Sequence, residues 1–261
     1  MTEAVKTLWL KFTLESDATL GRGDGVVGVV DAEVQHDRYG LPYMGGKTLK
    51  GLLGAECAEI LFALAQIGVS DLDQWQDYAQ FLFGGPGSHS DDKSRMRVGN
   101  AQLSGDLRDA LVAEFRPLQE IANKEERDRE WGKKRVANLE ALTTIRTQTA
   151  MDPKTGAPLE HTLRAMRVLL RKTHFVTRLD FREKPDDRAL WLLAACVKAF
   201  RRAGTGRHRG RGRLRSELYD VPLYDQATAQ TLTSIPVTTN WFQSFEKEVK
   251  RESDHISDPA G

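Results

Sequence analysis

Arg201–Arg215 reads Arg-Arg-Ala-Gly-Thr-Gly-Arg-His-Arg-Gly-Arg-Gly-Arg-Leu-Arg, with seven arginines, four glycines and no acid. Arginine presents a planar fork of permanently charged donors that fits phosphate oxygens. Glycine lets a backbone approach a ligand closely and adopt dihedrals closed to other residues. Together they point to a polyanion, with nucleic acid the economical partner. Charge alone would also suit a solvated basic loop or a patch for an acidic protein tail; the glycine spacing favours nucleic acid. The 261 residues carry a net charge of only +1, so this basicity is local and steers a ligand to one place.

Gly40–Thr48, Gly-Leu-Pro-Tyr-Met-Gly-Gly-Lys-Thr, nearly spells a phosphate-binding loop. The pattern requires glycine at position 41, where Leu41 stands, and Gln35–Tyr39 is too polar for a buried strand, so a nucleoside triphosphatase is excluded. Backbone N–H groups at a helix start, with Lys47 and Lys50 beside them, still suit an anion. A plain capped helix with exposed lysines fits the motif equally well. Asp17, Asp24, Asp31 and Asp37 flank a first glycine-rich loop. Asp31 ends the apolar run Val26–Val30 and could hold Mg²⁺ with substrate phosphate oxygens, although spacing alone favours a turn aspartate. The six histidines show no metal-ligand spacing. His36, near the anion site, could serve as general base for attack by a ribose 2′-hydroxyl. His208 sits among arginines, which disfavour its protonated form. Cys57 and Cys196 lie in apolar runs and read as buried free thiols of a reducing compartment.

These residues need elements to hold them. Leu8, Leu10, Phe12 and Leu14 alternate with polar neighbours, as do Phe175, Thr177, Leu179 and Phe181, and both runs predict half-buried strands. Leu49 to Leu64 follows helical spacing after Thr48, a candidate cap. Trp75–Phe83 is a further apolar patch, and Ser88–Ser94 reads as a mobile loop. Arg95–Leu103 reads as one strand, Leu107–Ile121 as partly helical. Asn123–Arg135 is either a solvated charged helix or a disordered excursion. Thr143–Leu170, turned at Asp152–Gly156, predicts a projecting hairpin carrying Arg146 and Arg167. Ala189–Phe200 is a buried helix. Leu214 to Leu223 forms a last strand with irregular edges, and 246–261 a fraying polar tail. The order strand, helix, strand, hairpin insertion, strand, helix, strand is that of an α+β, ferredoxin-like fold in one domain, with an insertion over about 104–170. One face of such a sheet stays free of helices and commonly serves RNA. No aromatic pair stands out as a base-stacking platform. Met1–Lys6 is charged and no apolar run could span a bilayer, so a cytoplasmic protein is expected.

From Leu8 to about Tyr219 the chain resembles the RAMP superfamily of CRISPR-associated proteins, especially the backbone subunits of type III RNA-guided complexes. Four segments carry the resemblance in order: Gly21–Asp31, Asp37–Gly51, Leu82-Phe83-Gly84 with the strand Arg95–Leu103, and the glycine-rich loop Gly204–Gly212. The resemblance implies an RRM-related core, with Thr143–Phe181 as the thumb hairpin and the strand after it. It implies guide CRISPR RNA, target RNA and neighbouring RAMP and other effector subunits as partners. By position it makes Asp31 the residue that cuts target RNA with Mg²⁺ or another divalent metal. It also makes Lys47, Lys50, Arg146, Arg167 and the loop with Gly204, Gly206, Arg207, His208, Arg209, Gly210 and Arg211 RNA contacts. Gly46-Lys47-Thr48 replaces the family's serine pair, and the charged run at 123–135 is outside the common pattern. A non-catalytic capping subunit and a metal-independent guide-processing endoribonuclease using His36 are the alternatives.

Overall fold

Alternation places Leu8, Leu10, Phe12 and Leu14 of strand β1 (Lys6–Leu14) on one buried face and Trp9, Lys11 and Thr13 on the other. A computed structural model describes residues 6–21, 32–85, 94–150, 152, 154–159, 162–206, 210–225 and 230–254. In it β1 pairs antiparallel on one side with β6 (His174–Phe181) and on the other with β7 (Leu214–Tyr219). Two short strands, β2 (Met96–Val98) and β3 (Gln102–Leu103), line the far edge of β6, giving the order β2-β6-β1-β7. With helices α1 (Gly46–Ile67) and α5 (Asp187–Ala199) as the crossovers, this is the ferredoxin-like arrangement read from the sequence.

The helices cover one face. Phe12 stacks on Phe175 at 5.1 Å and meets Phe200 edge-on at 6.0 Å, beneath α1 and α5. Each such ring contributes roughly 1.5–3 kcal/mol by leaving water. Asp186 caps α5 by accepting the Arg188 N–H at 2.8 Å. Helix α2 (Leu72–Phe83) packs on α1 and α5. The Cys57 and Cys196 thiols are free and buried, and burial pushes Cys196 well up. Among the described residues no helix is long and apolar enough to cross a membrane.

Between β3 and β6 come α3 (Gly105–Ala113), a 3₁₀ turn (Pro117–Glu120), α4 (Lys124–Leu142) and the hairpin of β4 (Thr143–Gln148) and β5 (Arg164–Leu169). The charged run at 123–135 thus belongs to a helix. Asn123 caps it by accepting the Glu125 and Glu126 N–H groups at 2.9 and 3.2 Å. It is docked, since Trp131 packs on Phe115 at 4.7 Å and Asn138 donates to the Tyr39 carbonyl at 3.1 Å. Helix α4 passes into β4 with no intervening residue.

Four sequence readings change. Helix α1 starts at Gly46 with Gly45 as its cap residue, so Thr48 lies within it. Arg95–Leu103 is two strands, because the Gly99 N–H bonds the Arg178 carbonyl at 2.9 Å and Asn100 turns to the start of α1. Strand β7 ends at Tyr219. Leu223 belongs instead to a small folded-back hairpin, where its carbonyl accepts the Leu232 N–H beside β8 (Tyr224–Asp225) and β9 (Gln230–Thr231). The polar end does not fray over 246–254: these residues continue α6 (Thr238–Asp254), on which Glu252 is fully buried and accepts the Trp75 indole N–H at 2.8 Å. Residues 255–261, the apolar run Val26–Val30 and residues 88–93 of the expected mobile loop lie outside the described residues.

Candidate nucleic-acid interface

The arginine-rich segment leaves α5 and enters β7 as a stitched arm. Arg202 bridges Arg213, the Ala203 N–H meets the Gly212 carbonyl at 2.9 Å, and the Thr205 N–H meets the Thr19 carbonyl at 2.9 Å. Its four glycines divide into two kinds. Gly204 and Gly212 have φ of +88° and +67°, and a β-carbon on either would strike a backbone carbonyl, of Thr19 and of Ala203. They let the protein pack against itself. Gly206 and Gly210, at φ +76° and +78°, face no backbone: a β-carbon on Gly206 would touch only the Arg211 side chain at 3.8 Å, and one on Gly210 would meet nothing within 4 Å. Only this outer pair leaves backbone room for a ligand. Arg211 is half-buried with its guanidinium on the Met166 sulfur of β5. Arg207, His208 and Arg209 lie outside the described residues.

Asp31 also lies outside them, but the described residues on both sides of segment 22–31 are fixed. Gly21 bridges Val34, and the Gln35 N–H bonds the Leu20 carbonyl at 2.8 Å. Ala32 forms a parallel bridge with Met166, its carbonyl accepting the Arg167 N–H at 3.0 Å. Arg167 was expected to touch RNA. Its side chain is instead 11% exposed and pairs with Glu33, itself 6% exposed, at 3.0 Å. It also donates to the Thr143 hydroxyl at 3.2 Å, while its carbonyl accepts from the Thr19 hydroxyl at 2.9 Å. The ion pair joins the hairpin base to the residues that follow segment 22–31. Arg146, on the same hairpin, is exposed and pairs with Asp17 through Nε at 3.2 Å and Nη2 at 3.0 Å.

At the start of α1 the Gly46 N–H is taken by Asn100 Oδ1 at 2.9 Å, which removes one donor from the expected anion site. Lys47 is exposed. Lys50 turns inward and donates to the Met96 carbonyl at 3.3 Å, and burial, then the charge of Arg182, lowers its pKa. A cavity of about 230 Å³ brings the three segments together, lined by Gly21 of the loop flank, Gln35, Thr48 of α1, and Gly204 and Thr205 of the arm.

The turn before α1 is equally fixed. Asp37 accepts the Tyr39 and Leu41 N–H groups at 2.8 and 3.1 Å and binds Arg108 at 2.8 Å. The His36 Nδ1 faces the Asp37 carbonyl at 3.0 Å. Trp131 donates to the Arg38 carbonyl at 3.0 Å, and the Arg38 guanidinium lies 4.7 Å from the Tyr39 ring and 5.5 Å from the Trp131 ring. Sequence reasoning missed Glu33, Arg108 and Trp131, whose partners are far away along the chain. Among the described residues no cluster of histidine, cysteine and carboxylate side chains could hold a metal. Asp17, Glu33 and Asp37, the nearest described carboxylates to Asp31 in sequence, are each committed to an arginine. They do not fit as metal ligands.

A family model described as the RAMP superfamily matches residues 11–215. The chain is similar to solved structures of a type III-B Cmr-beta assembly. The one bound to cognate target RNA aligns with a TM-score of 0.55 at 12% identity, covering 82% of this chain and 98% of that one. The apo state aligns with a TM-score of 0.53 at 13% identity, covering 82% and 97%. At such identity the likeness shows the fold. Comparison with curated proteins gives no match.

Proposed function

Because the chain belongs to the RAMP superfamily, we propose that it is a guide-RNA-binding subunit of a type III RNA-guided effector complex and that it cuts complementary target RNA at Asp31. The observation that carries the reading is the fixed frame on both sides of segment 22–31. Two backbone bridges and a buried ion pair hold its ends beside the arginine-rich arm and the start of α1. A cutting residue needs such positioning, since a misplacement of about 1 Å costs on the order of a hundredfold in rate. The fold neighbours come from a type III-B assembly, one of them bound to target RNA.

Lys47, Arg146, Arg211 and the stretch Gly206–Gly210 with Arg207, His208 and Arg209 are the RNA contacts in this reading. Arg167, Lys50, Gly204 and Gly212 position them. The segment 104–170 supplies the thumb, ending in the β4–β5 hairpin. A divalent metal, if the reaction uses one, would rest on residues of the 22–31 loop and RNA phosphates, because the described carboxylates nearby are committed elsewhere.

In the assembled complex, Asp31→Asn should abolish cleavage at this subunit's site and leave target binding unchanged. Normal cutting at that site would overturn the assignment. One copy per complex by native mass spectrometry, with no cut assigned to it, would identify a capping subunit. Cleavage of precursor RNA that survives chelator and needs His36 would identify a guide-processing enzyme.

A further inference from the structure

The sheet face opposite the helices is roofed, and the roof encloses a groove of about 560 Å³. Its floor is Trp9 and Lys11 on the central strand β1 with Arg178 on β6. The registers place Trp9 directly opposite Arg178 on one side and Tyr219 on the other. The roof is the β8–β9 hairpin. The Tyr224 hydroxyl donates to Asp109 of α3 at 2.5 Å, and its ring lies where any side chain on Gly105 would sit. Strand β9 also packs against α3, so both strands of the hairpin lie on that helix.

Three features select the ligand. The Arg178 guanidinium lies over the Trp9 ring, 5.7 Å from its centroid, and is steadied there by Asp180 at 2.9 Å, so the indole floor carries a cation on one face. The same sheet face carries Lys11, Arg97, Arg178 and Arg215 against Asp180 and Glu217, and the groove wall adds Arg108 against Asp109 and Asp225, which leaves a small excess of positive charge. Gln102 lines the side wall with an amide that can donate to and accept from a base edge. The volume falls within the range of about 300–1,000 Å³ typical of small-ligand sites. A flat aromatic floor, flanking cations and one amide are the elements that bind an unpaired base and its phosphate. An acidic peptide would use the cations and leave the floor idle.

We infer that this groove binds one unpaired nucleotide of RNA, with the base stacked on Trp9 and the phosphate between Lys11 and Arg178. The site is separate from the arginine-rich arm, and the choice of RNA as its source rests on the guide-RNA reading above.

The test uses the purified chain and two probes. Adenosine 5′-monophosphate is titrated while the indole N–H signals are followed by NMR, with the Trp9 signal assigned from Trp9→Tyr. It should shift and saturate in the wild type and stay fixed in the double variant Lys11→Ala, Arg178→Ala, neither position being in the core. A short single-stranded oligouridylate should bind about tenfold more weakly to Trp9→Leu and nearly normally to Trp9→Tyr. Circular dichroism checks that each variant is folded. An unmoved Trp9 signal with unchanged oligonucleotide affinity in Trp9→Leu would overturn the inference. If RNA binding then depends only on Arg211 and its neighbours, the guide-RNA reading stands without this site. If the nucleotide moves Trp9 but no guide RNA accompanies the subunit, the groove stands and the guide-RNA reading falls.

Discussion

Arg146 and Arg167 sit on paired strands of one hairpin, a single register step apart, and each pairs with one carboxylate, yet one pair is sealed and the other displayed. Arg167 and Glu33 are 11% and 6% exposed; Arg146 and Asp17 are 54% and 23% exposed. The glycines divide in the same way, Gly204 and Gly212 against backbone, Gly206 and Gly210 in the open. So do the lysines, with Lys50 on the Met96 carbonyl and Lys47 at the surface. The basic region is therefore two ranks deep. The inner rank shapes the chain; the outer rank is what a polyanion can reach. Residue type decides neither, because burial and partners assign each side chain to its rank.

The largest effect should come from the inner rank. Arg167→Ala strands Glu33 in the interior and should lower stability by about 3 to 5 kcal/mol, read from the urea midpoint. A loss no larger than that of Arg146→Ala would erase the distinction. Gly212→Ala should follow. A left-handed alanine costs roughly 1–2 kcal/mol, and the collision with the Ala203 carbonyl adds about 1–3 more. Gly210→Ala carries the first cost alone, so equal thermal unfolding of the two variants would contradict the division. Arg146→Ala should change stability by only about 0–1 kcal/mol. It should instead flatten the salt dependence of single-stranded RNA affinity by about 0.7. The smallest effect concerns the roof. The hydrogen bond to Asp109 is the main reason the Tyr224 hydroxyl is pushed up to about 12 from 10. The folded chain holds this proton more tightly than the unfolded one. The anchor is thus complete below about pH 10 and is lost as pH rises through about 12. Tyr224→Phe should remove one high-pH step from the tyrosinate absorbance titration; an unchanged curve would show that Tyr224 is not anchored.

Much of the core was legible because period-two alternation survives wherever one sheet face is buried. It marks Phe175 to Phe181 and Leu8 to Leu14 without help from neighbours. The hairpin was legible from the turn at Asp152, where the Lys154 N–H bonds the Asp152 carboxylate at 2.8 Å. The second half of helix α6, from Glu246, reads as a polar tail because its key inward residue is Glu252, whose partner Trp75 is 177 positions away. The pairing of Arg167 with Glu33 spans 134 positions, and no local pattern announces it. The face roofed by Tyr224 was hidden for a different reason. Trp9 and Tyr219 become neighbours only through strand pairing, so the aromatic floor exists in the register and not in the sequence.

The direct passage from α4 into β4 has a mechanical meaning. Thr143 is the joint. Its hydroxyl donates to the Leu139 carbonyl at 2.5 Å and accepts from Arg167 at 3.2 Å, so the joint has no slack. A force that bends the hairpin is not absorbed by a linker. It runs down α4 as along a lever to Trp131 and the turn at Arg38 and Tyr39. On the other strand it passes through Arg167 to Ala32. The hairpin base, helix α4 and the flank at Ala32 are thereby tied into one frame.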